Sequence, residues 1–466
     1  MKVELDTLPW QLEFIESQDK LALVMGGVGC GKSIICGDWL IERAIEYPHG
    51  QHYIIGANYP TLKEGTIPTF ESRLDAHGFK YKLNRTDLSI TIDSGPAKGC
   101  RIVSWTAEKY ATLKGILLDS VWADEMQVWQ RGWDAYTFIV NRNRMSEAAQ
   151  AHHPSLQPRI RMSANPPRQG SSHWLVSKLI GDGIGGEDDH RKYKPRVFRP
   201  NIFENWLLPG REEYIEMLRE TYDADLFRLE VLGEVVDLKG GRVYYNFDRA
   251  MHVKSEVGGL PVMYDPRYPL VWSHDWGYTP RTSVLLQVRR LNIDGYQKDV
   301  VFVLDEITNY SRGTEGQIEE LARRYPPSMI KSGLIVYGDA TQTPSSVDGR
   351  VDWEVMRTHA TLQAYQGQTK RKSSNPAVDA RAAAAVSKFV NSVGRVGVAI
   401  NPKCKLLIQD LLQTTWREDK PDLDRGSLAK GRNLTHWTDA LTYFIEYEWP
   451  VLDRQMRVVG QGHSIR

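Results

Sequence analysis

Short apolar runs alternate with longer amphipathic stretches through the first half of the chain. Leu21-Ala22-Leu23-Val24-Met25, Tyr53-Ile54-Ile55-Gly56-Ala57, Val121-Trp122-Ala123 and Ile160-Arg161-Met162-Ser163-Ala164 predict strands, and the stretches between them suit helices laid over a parallel sheet. Residues 33–46 place Ile34, Ile35, Trp39, Leu40 and Ile41 at mostly helical spacing after a glycine-rich turn, which gives strand, loop, helix. Residues 181–194 break the periodicity and predict an exposed loop, and residues 211–232 predict a helix. The pattern lapses at Asp237-Leu238-Lys239-Gly240-Gly241 and again at Gly258-Gly259-Leu260-Pro261. A domain boundary is therefore expected between residues 237 and 262.

Beyond that boundary strands follow in quick succession, at 270–273, 282–289 and 300–306, then 334–337 after a helical stretch at 314–325. Three strands, a helix and another strand predict an α/β sheet with an antiparallel meander. Residues 377–391 are alanine-rich and predict a helix, 396–400 a strand and 404–414 a helix. Residues 366–376, with Lys370-Arg371-Lys372 and two serines, read as a mobile basic loop that could meet DNA phosphates. The expected division is 1–240, a linker at 241–262, a second domain at 263–450 and a tail at 451–466.

With 466 residues, the chain is about three times a typical domain of roughly 150, which agrees with two or three domains. Apolar residues make up 41%, enough for sizeable cores and too many for disorder. No apolar run reaches the roughly 18 residues of a bilayer span, and the acidic N-terminus does not resemble a signal peptide. No membrane partner is expected. Cys30, Cys36, Cys100 and Cys404 lie far apart without a CxxC, so neither a zinc ribbon nor a disulfide framework is expected, and a reducing cytoplasm fits. The net charge is +1, so any nucleic-acid contact must come from local patches.

Gly26-Gly27-Val28-Gly29-Cys30-Gly31-Lys32-Ser33 matches GxxxxGK[ST] between an apolar strand and a helix. In that context the glycines turn backbone N–H groups into one concavity, Lys32 reaches the β/γ-phosphates of ATP and the Ser33 hydroxyl ligates Mg²⁺. Further on, Ser120-Val121-Trp122-Ala123 runs into Asp124-Glu125. An acid at a strand's end can hold the Mg²⁺ water shell, and a second beside it can activate the attacking water. Gln11, shortly before the first strand, is a candidate adenine reader.

Three aspartates form a second candidate site. Asp275 and Asp339 each end an apolar strand, and Asp439 opens a helical stretch. Carboxylates so gathered repel unless cations lie between them, and Mg²⁺ or Mn²⁺ takes such ligands. Two ions roughly 4 Å apart would support phosphodiester cleavage. Glu306 at another strand's end and His436, three residues before Asp439, are further candidate ligands.

This order of motifs resembles the large terminase subunit of tailed bacteriophages, and the likeness covers nearly the whole chain. Lys114-Gly115 leading to Asp124-Glu125 is similar to that family's approach to its Walker B acids, and Ser163-Ala164-Asn165-Pro166 to its coupling motif. Gly277 after Asp275, Tyr337-Gly338-Asp339 and His436-Trp437-Thr438-Asp439-Ala440-Leu441 resemble its three nuclease motifs. The resemblance implies an ASCE-type P-loop ATPase domain with a lid-like helical end, then an RNase H-like nuclease domain. Asn165 would sense the γ-phosphate, and an arginine finger given in trans would be one of Lys114, Arg142 and Arg144. It further implies a motor that drives double-stranded DNA into a procapsid and cuts the concatemer, with the portal, a small terminase subunit and other copies of itself in a ring as partners. The setting would be the host bacterial cytoplasm and, transiently, the procapsid. The alternatives are an ATP-dependent repair nuclease or helicase-nuclease, and an assembly scaffold that uses ATP as a switch.

Overall fold

The computed structural model describes residues 6–181, 194–236, 242–276, 280–293, 295–309, 313–340, 351–416, 423–424 and 435–451. Most of the loop expected at 181–194, the break at 237–241, Gly277 and the tail from residue 452 lie outside the described residues. The chain forms two compact units, Met1–Leu218 with Asp225–Leu238, and Arg219–Ala224 with Lys239–Arg466. No helix among the described residues is long and apolar enough to cross a membrane.

The first unit is built on eight strands: β1 Leu21–Met25, β2 His52–Gly56, β3 Tyr81–Asn84, β4 Ser89–Ile92, β5 Arg101–Thr106, β6 Ser120–Ala123, β7 Arg159–Ala164 and β8 Arg196–Phe198. Their order is β3-β4-β5-β2-β6-β7-β1-β8, parallel from β5 to β8, with an antiparallel edge at β3 and β4. β1 is apolar at every position because both faces are covered. Ala22 and Val24 pack with Ile35, Trp39 and Leu40 of the helix Lys32–Glu46. Leu21, Leu23 and Met25 face the opposite layer with Tyr136 and Ile139 of the helix Gly132–Arg142, as the alternation of side chains along a strand dictates. The expected helix at 211–232 is two helices, Arg211–Thr221 and Ala224–Glu230. The four cysteines are free and buried.

His52 opens β2 fully buried. Its Nε2 lies 2.9 Å from the Tyr47 carbonyl oxygen and its Nδ1 has no partner. Burial lowers its pKa from 6.5 to about 4, so the imidazole is neutral in the fold. Between those values an unfolded chain takes up a proton that the folded chain refuses. The full stability is present above pH 6.5 and is lost as pH falls toward 4, by about 3 kcal/mol at most. Thermal unfolding of the full-length protein over this range should show a smaller acid loss for His52→Gln than for the parent. Equal slopes would remove His52 from the acid response.

The second unit carries β9 Glu256–Val257 and β10 Leu260–Pro261 as a small hairpin, then β11 Leu270–Asp275, β12 Arg281–Ile293, β13 Tyr296–Asn309, β14 Leu334–Gly338, β15 Gln368–Lys370 and β16 Val398–Ile400. The main sheet has the order β15-β14-β11-β12-β13-β16. β11, β12 and β13 are the antiparallel meander, while β14 runs parallel to β11 and β16 parallel to β13. This is an RNase H-like arrangement. Two expectations are corrected. Residues 242–262 are not a spacer, since Val243, Tyr244 and Phe247 are buried in this unit's core and Val262 in its second cluster. The basic stretch at 366–376 is not simply a loop, because Gln368–Lys370 adds an edge strand to β14.

Candidate active sites

The chain leaves β1 at Met25 and turns through residues 26–31 into the helix Lys32–Glu46. Gly31 caps that helix at a φ of +94°, a conformation that glycine adopts without a steric penalty. Gly27 lies so close to the neighbouring backbone that a Cβ would stand 2.5 Å from the carbonyl oxygens of Glu230 and Val231. The loop is braced by side chains. Asn205 Nδ2 donates to the Gly29 carbonyl at 2.7 Å, and Gln11 Nε2 to that of Gly31 at 3.2 Å. Fixing these carbonyls sets the orientation of the intervening N–H groups, as a phosphate cradle needs. Gln11 also accepts from the Leu8 N–H at 3.0 Å. One end of its amide therefore holds the loop, and the other caps the start of its own helix.

Lys32 is buried and its Nζ donates to the Gly27 carbonyl at 3.2 Å. Burial lowers its pKa, but the Cys30 thiol, Glu125, Asp124 and Glu230 outweigh that and hold it above the usual value. Ser33 follows it in the first turn. β7 lies between β6 and β1, with Ala123 opposite Met162 and Met25 opposite Ala164. Asp124, Glu125 and Asn165 therefore follow strand ends adjacent to the glycine-rich loop. Asp124 accepts from Ser163 Oγ at 2.6 Å and Thr66 Oγ1 at 2.7 Å. Glu125 has a φ of +51°, an uncommon conformation for a non-glycine residue. Burial raises the pKa of both acids, more than their hydrogen bonds and Lys32 lower it.

A polar chain that sequence reading missed extends from Glu125. Gln127 Nε2 donates to its carboxylate, and Gln127 Oε1 accepts the Asn165 N–H at 3.1 Å. Asn165 Nδ2 donates to Glu230 at 3.1 Å, and Arg168 pairs with the other oxygen of Glu230 at 3.0 Å. Asn165 Oδ1 is buried without a partner. The finger candidates lie elsewhere. The Arg142 carbonyl accepts from Leu118 N–H at 3.0 Å, which places it and Arg144 at the end of β6 opposite Asp124. Lys114 is exposed, just after the short helix Ala107–Leu113.

In the second unit β11 and β14 pair with His274 opposite Gly338, so Asp275 and Asp339 emerge side by side. The helix His436–Glu448 packs over these strands and is tied to them by Ser273 Oγ, which donates to the Ala440 carbonyl at 2.6 Å. That brings Asp439 to the same edge. Beyond burial, all three carboxylates push up the pKa of the Tyr443 hydroxyl, which marks their convergence. His436 Nδ1 lies 2.8 Å from Asp275. Glu306 does not join them. Its two oxygens accept the N–H groups of Leu406 and Leu407 at 3.0 and 2.9 Å, at the start of the helix Lys405–Gln413.

Among the described residues no group of three or more His, Cys, Asp or Glu is arranged to hold a metal ion. Asp275 is partnered by His436, and Asp439 by Arg381 at 2.7 Å. Cations at this edge would have to displace His436 and Arg381 from the carboxylates. Arg381 is buried, stacks at 4.2 Å over the Tyr443 ring and also donates to Thr442 Oγ1 at 3.3 Å. Its signal in the sequence was one arginine on the buried face of the alanine-rich helix Val378–Phe389.

The basic triplet is likewise engaged. Lys370 Nζ lies 3.3 Å from Glu448, Lys372 pairs with Glu446, and the Arg371 guanidinium lies 5.5 Å from the centre of the Trp353 ring. Glu446 is buried and its Oε2 has no partner. Lys372→Ala should therefore lower thermal stability by about 3 kcal/mol, and adding Glu446→Gln should recover part of the loss. An unchanged Tm would show that the pair carries no weight.

No protein-family model matches the chain, and no curated sequence does. Its fold is similar to that of the large terminase from the thermophilic bacteriophage D6E. The TM-score is 0.62 with 17% identity, covering 95% of this chain and 99% of that one. The same phage protein in complex with ATP-gamma-S is similar at a TM-score of 0.60 with 18% identity, covering 94% and 98% of the two chains. In complex with ADP the TM-score is 0.59, with the same identity and coverage. The chain has the large-terminase fold: a P-loop α/β unit followed by an RNase H-like α/β unit.

Proposed function

We propose that this chain is a bacteriophage DNA-packaging ATPase, a large-terminase-type motor subunit that hydrolyses ATP to drive double-stranded DNA into a procapsid. One observation carries the reading: Lys32, Asp124, Glu125 and Asn165 meet at adjacent strand ends around a braced glycine-rich loop. The fold supports it, since it spans nearly the whole of a phage terminase that has been solved with ATP-gamma-S and with ADP.

In this reading residues 26–33 cradle the phosphates of ATP, and Lys32 turns from the Gly27 carbonyl to the β/γ-phosphates. Ser33 and Asp124 would hold Mg²⁺, which neutralises charge on the phosphate oxygens. Thr66 and Ser163 hold the Asp124 carboxylate in place. Glu125 orients the attacking water and takes its proton, a task favoured by the burial that raises its pKa above the ordinary carboxylate value. Gln127 and Asn165 link that acid to Glu230 and Arg168, so the state of the nucleotide can be felt at the 230–231 segment against the loop.

The same reading makes the second unit a nuclease that cuts the concatemer at Asp275, Asp339 and Asp439, with Mg²⁺ or Mn²⁺. It rests on their shared sheet edge and requires Asp439 to give up Arg381. The partners would be the portal, a small terminase subunit and further copies in a ring, in the cytoplasm of a bacterial host and on the procapsid.

The test is turnover of ATP by the full-length protein with and without linear duplex DNA, beside DNA cutting with Mn²⁺. DNA-stimulated turnover together with ATP-dependent protection of DNA inside procapsids is expected. Turnover without any effect of DNA or procapsids would remove the motor reading. A protein that binds ATP but never hydrolyses it would favour the scaffold.

A further inference from the structure

At the far edge of the second unit's sheet, the strand β16 pairs on one side with β13, and a cleft of about 560 Å³ opens beside it. Val257, Val300, Val396, Val398 and Ala399 give it an apolar lining. Met251, Tyr296 and Val393 stand on it with 46, 56 and 42% of their surface exposed. The β12–β13 register puts Lys298 opposite Leu291, while Asp275 pairs with Thr282 at the other end of β12. The cleft and the carboxylate edge are therefore at opposite ends of the meander.

Its charged residues are mostly cations. Lys254, Lys298 and Arg395 line it, against Glu256. Arg395 pairs with Glu220 and stacks 4.0 Å from the centre of the Tyr296 ring. Lys298 is half-buried and has no ion-pair partner among the described residues. Burial, and then Arg395, pull its pKa down to about 8. Lys388 lies close enough to feel Lys298 and is likewise lowered to about 8, chiefly by burial. A half-buried ammonium crowded by other cations costs stability unless an anion meets it.

We infer that this cleft is a docking site for an acidic segment of a partner protein, whose carboxylates meet Lys298, Lys254 and Arg395 while its apolar side chains cover Met251, Tyr296 and Val393. Charge selects a carboxylate-rich partner, and the apolar lining selects a peptide. A phosphodiester backbone would satisfy the cations but leave the methionine, valine and tyrosine wet, with no gain from burying them. A peptide with both kinds of side chain uses the whole surface, with the apolar anchors supplying affinity and the cations setting orientation and on-rate. The inference is independent of the packaging reading, since it uses none of the residues assigned to ATP or to DNA cutting.

Selection of short random displayed peptides on the full-length protein tests it. The expected result is enrichment of peptides in which Asp or Glu alternate with large apolar residues. A synthetic peptide of the enriched sequence should bind at least about tenfold more weakly to Lys298→Glu. Lys298→Met should also weaken binding and yet raise Tm, because it removes a half-buried charge that has no counter-ion among the described residues, whereas a lysine kept only for structure would lower it. No enrichment, enrichment unchanged by Lys298→Glu, or a lowered Tm in Lys298→Met would each overturn the inference. Displacement of the peptide by mixed-sequence duplex DNA, lost in Lys298→Glu, would assign the cleft to nucleic acid instead.

Discussion

Lys32→Ala should abolish ATP turnover, and Glu125→Gln should leave ATP bound while turnover falls by about two to four orders of magnitude. The two changes fail for different reasons. Lys32 is the buried cation of the loop, held charged by the acids around it, so its loss removes charge from the phosphates in the ground state and transition state alike. Glu125 keeps its shape as glutamine, and Gln127 still lies beside it, but the amide cannot accept a proton from water. Binding of a fluorescent ATP analogue and phosphate release, measured on the same preparations, separate the cases. Parental turnover in Glu125→Gln would move the base elsewhere, with Asp124 the next acid to test.

In the second unit, Arg381→Met should lower stability by about 3 to 5 kcal/mol. The reason is the Asp439 carboxylate, buried with Arg381 as its 2.7 Å partner. Removing one member of a buried pair takes the counter-charge from the other, while replacing both costs far less. Arg381→Met with Asp439→Asn should therefore unfold at a higher temperature than Arg381→Met alone. If Asp439 takes a cation once the guanidinium has gone, Mn²⁺ should restore part of the lost Tm in Arg381→Met and none in the double variant. Thermal unfolding with and without Mn²⁺ reads this without any DNA. An equal Mn²⁺ effect on both variants would show that Asp439 holds no cation.

The elements most legible in the chain were those buried on both faces. β1 is apolar at every position because helices cover both sides of the sheet, and a continuous run survives any ambiguity of register. The phosphate loop was legible because its chemistry is local: six residues of one turn supply most of the cradle, and glycine is required by backbone conformation at Gly31 and by close packing at Gly27. β13 was read short because Tyr296, Gln297 and Lys298 are polar or exposed at its start, where the hairpin with β12 is held by backbone ladder bonds that carry no side-chain signature. Residues 242–262 read as a spacer because their glycines and charges hide the isolated Val243, Tyr244, Phe247 and Val262 that reach two separate core clusters.

By itself the sequence determined the order of units, the phosphate loop, the two acids after β6 and the three aspartates, all of them features written in neighbouring residues or at the ends of apolar runs. Only the tertiary structure decided what each charged side chain faces. It gave Gln11 to the loop backbone, Glu306 to a helix start, Lys372 to Glu446 and Arg381 to Asp439, over separations of 20, 100, 74 and 58 residues. The physical reason is that a charge is fixed by whatever compensates it after burial. That partner is chosen by the packing of distant elements, and no spacing along the chain records it.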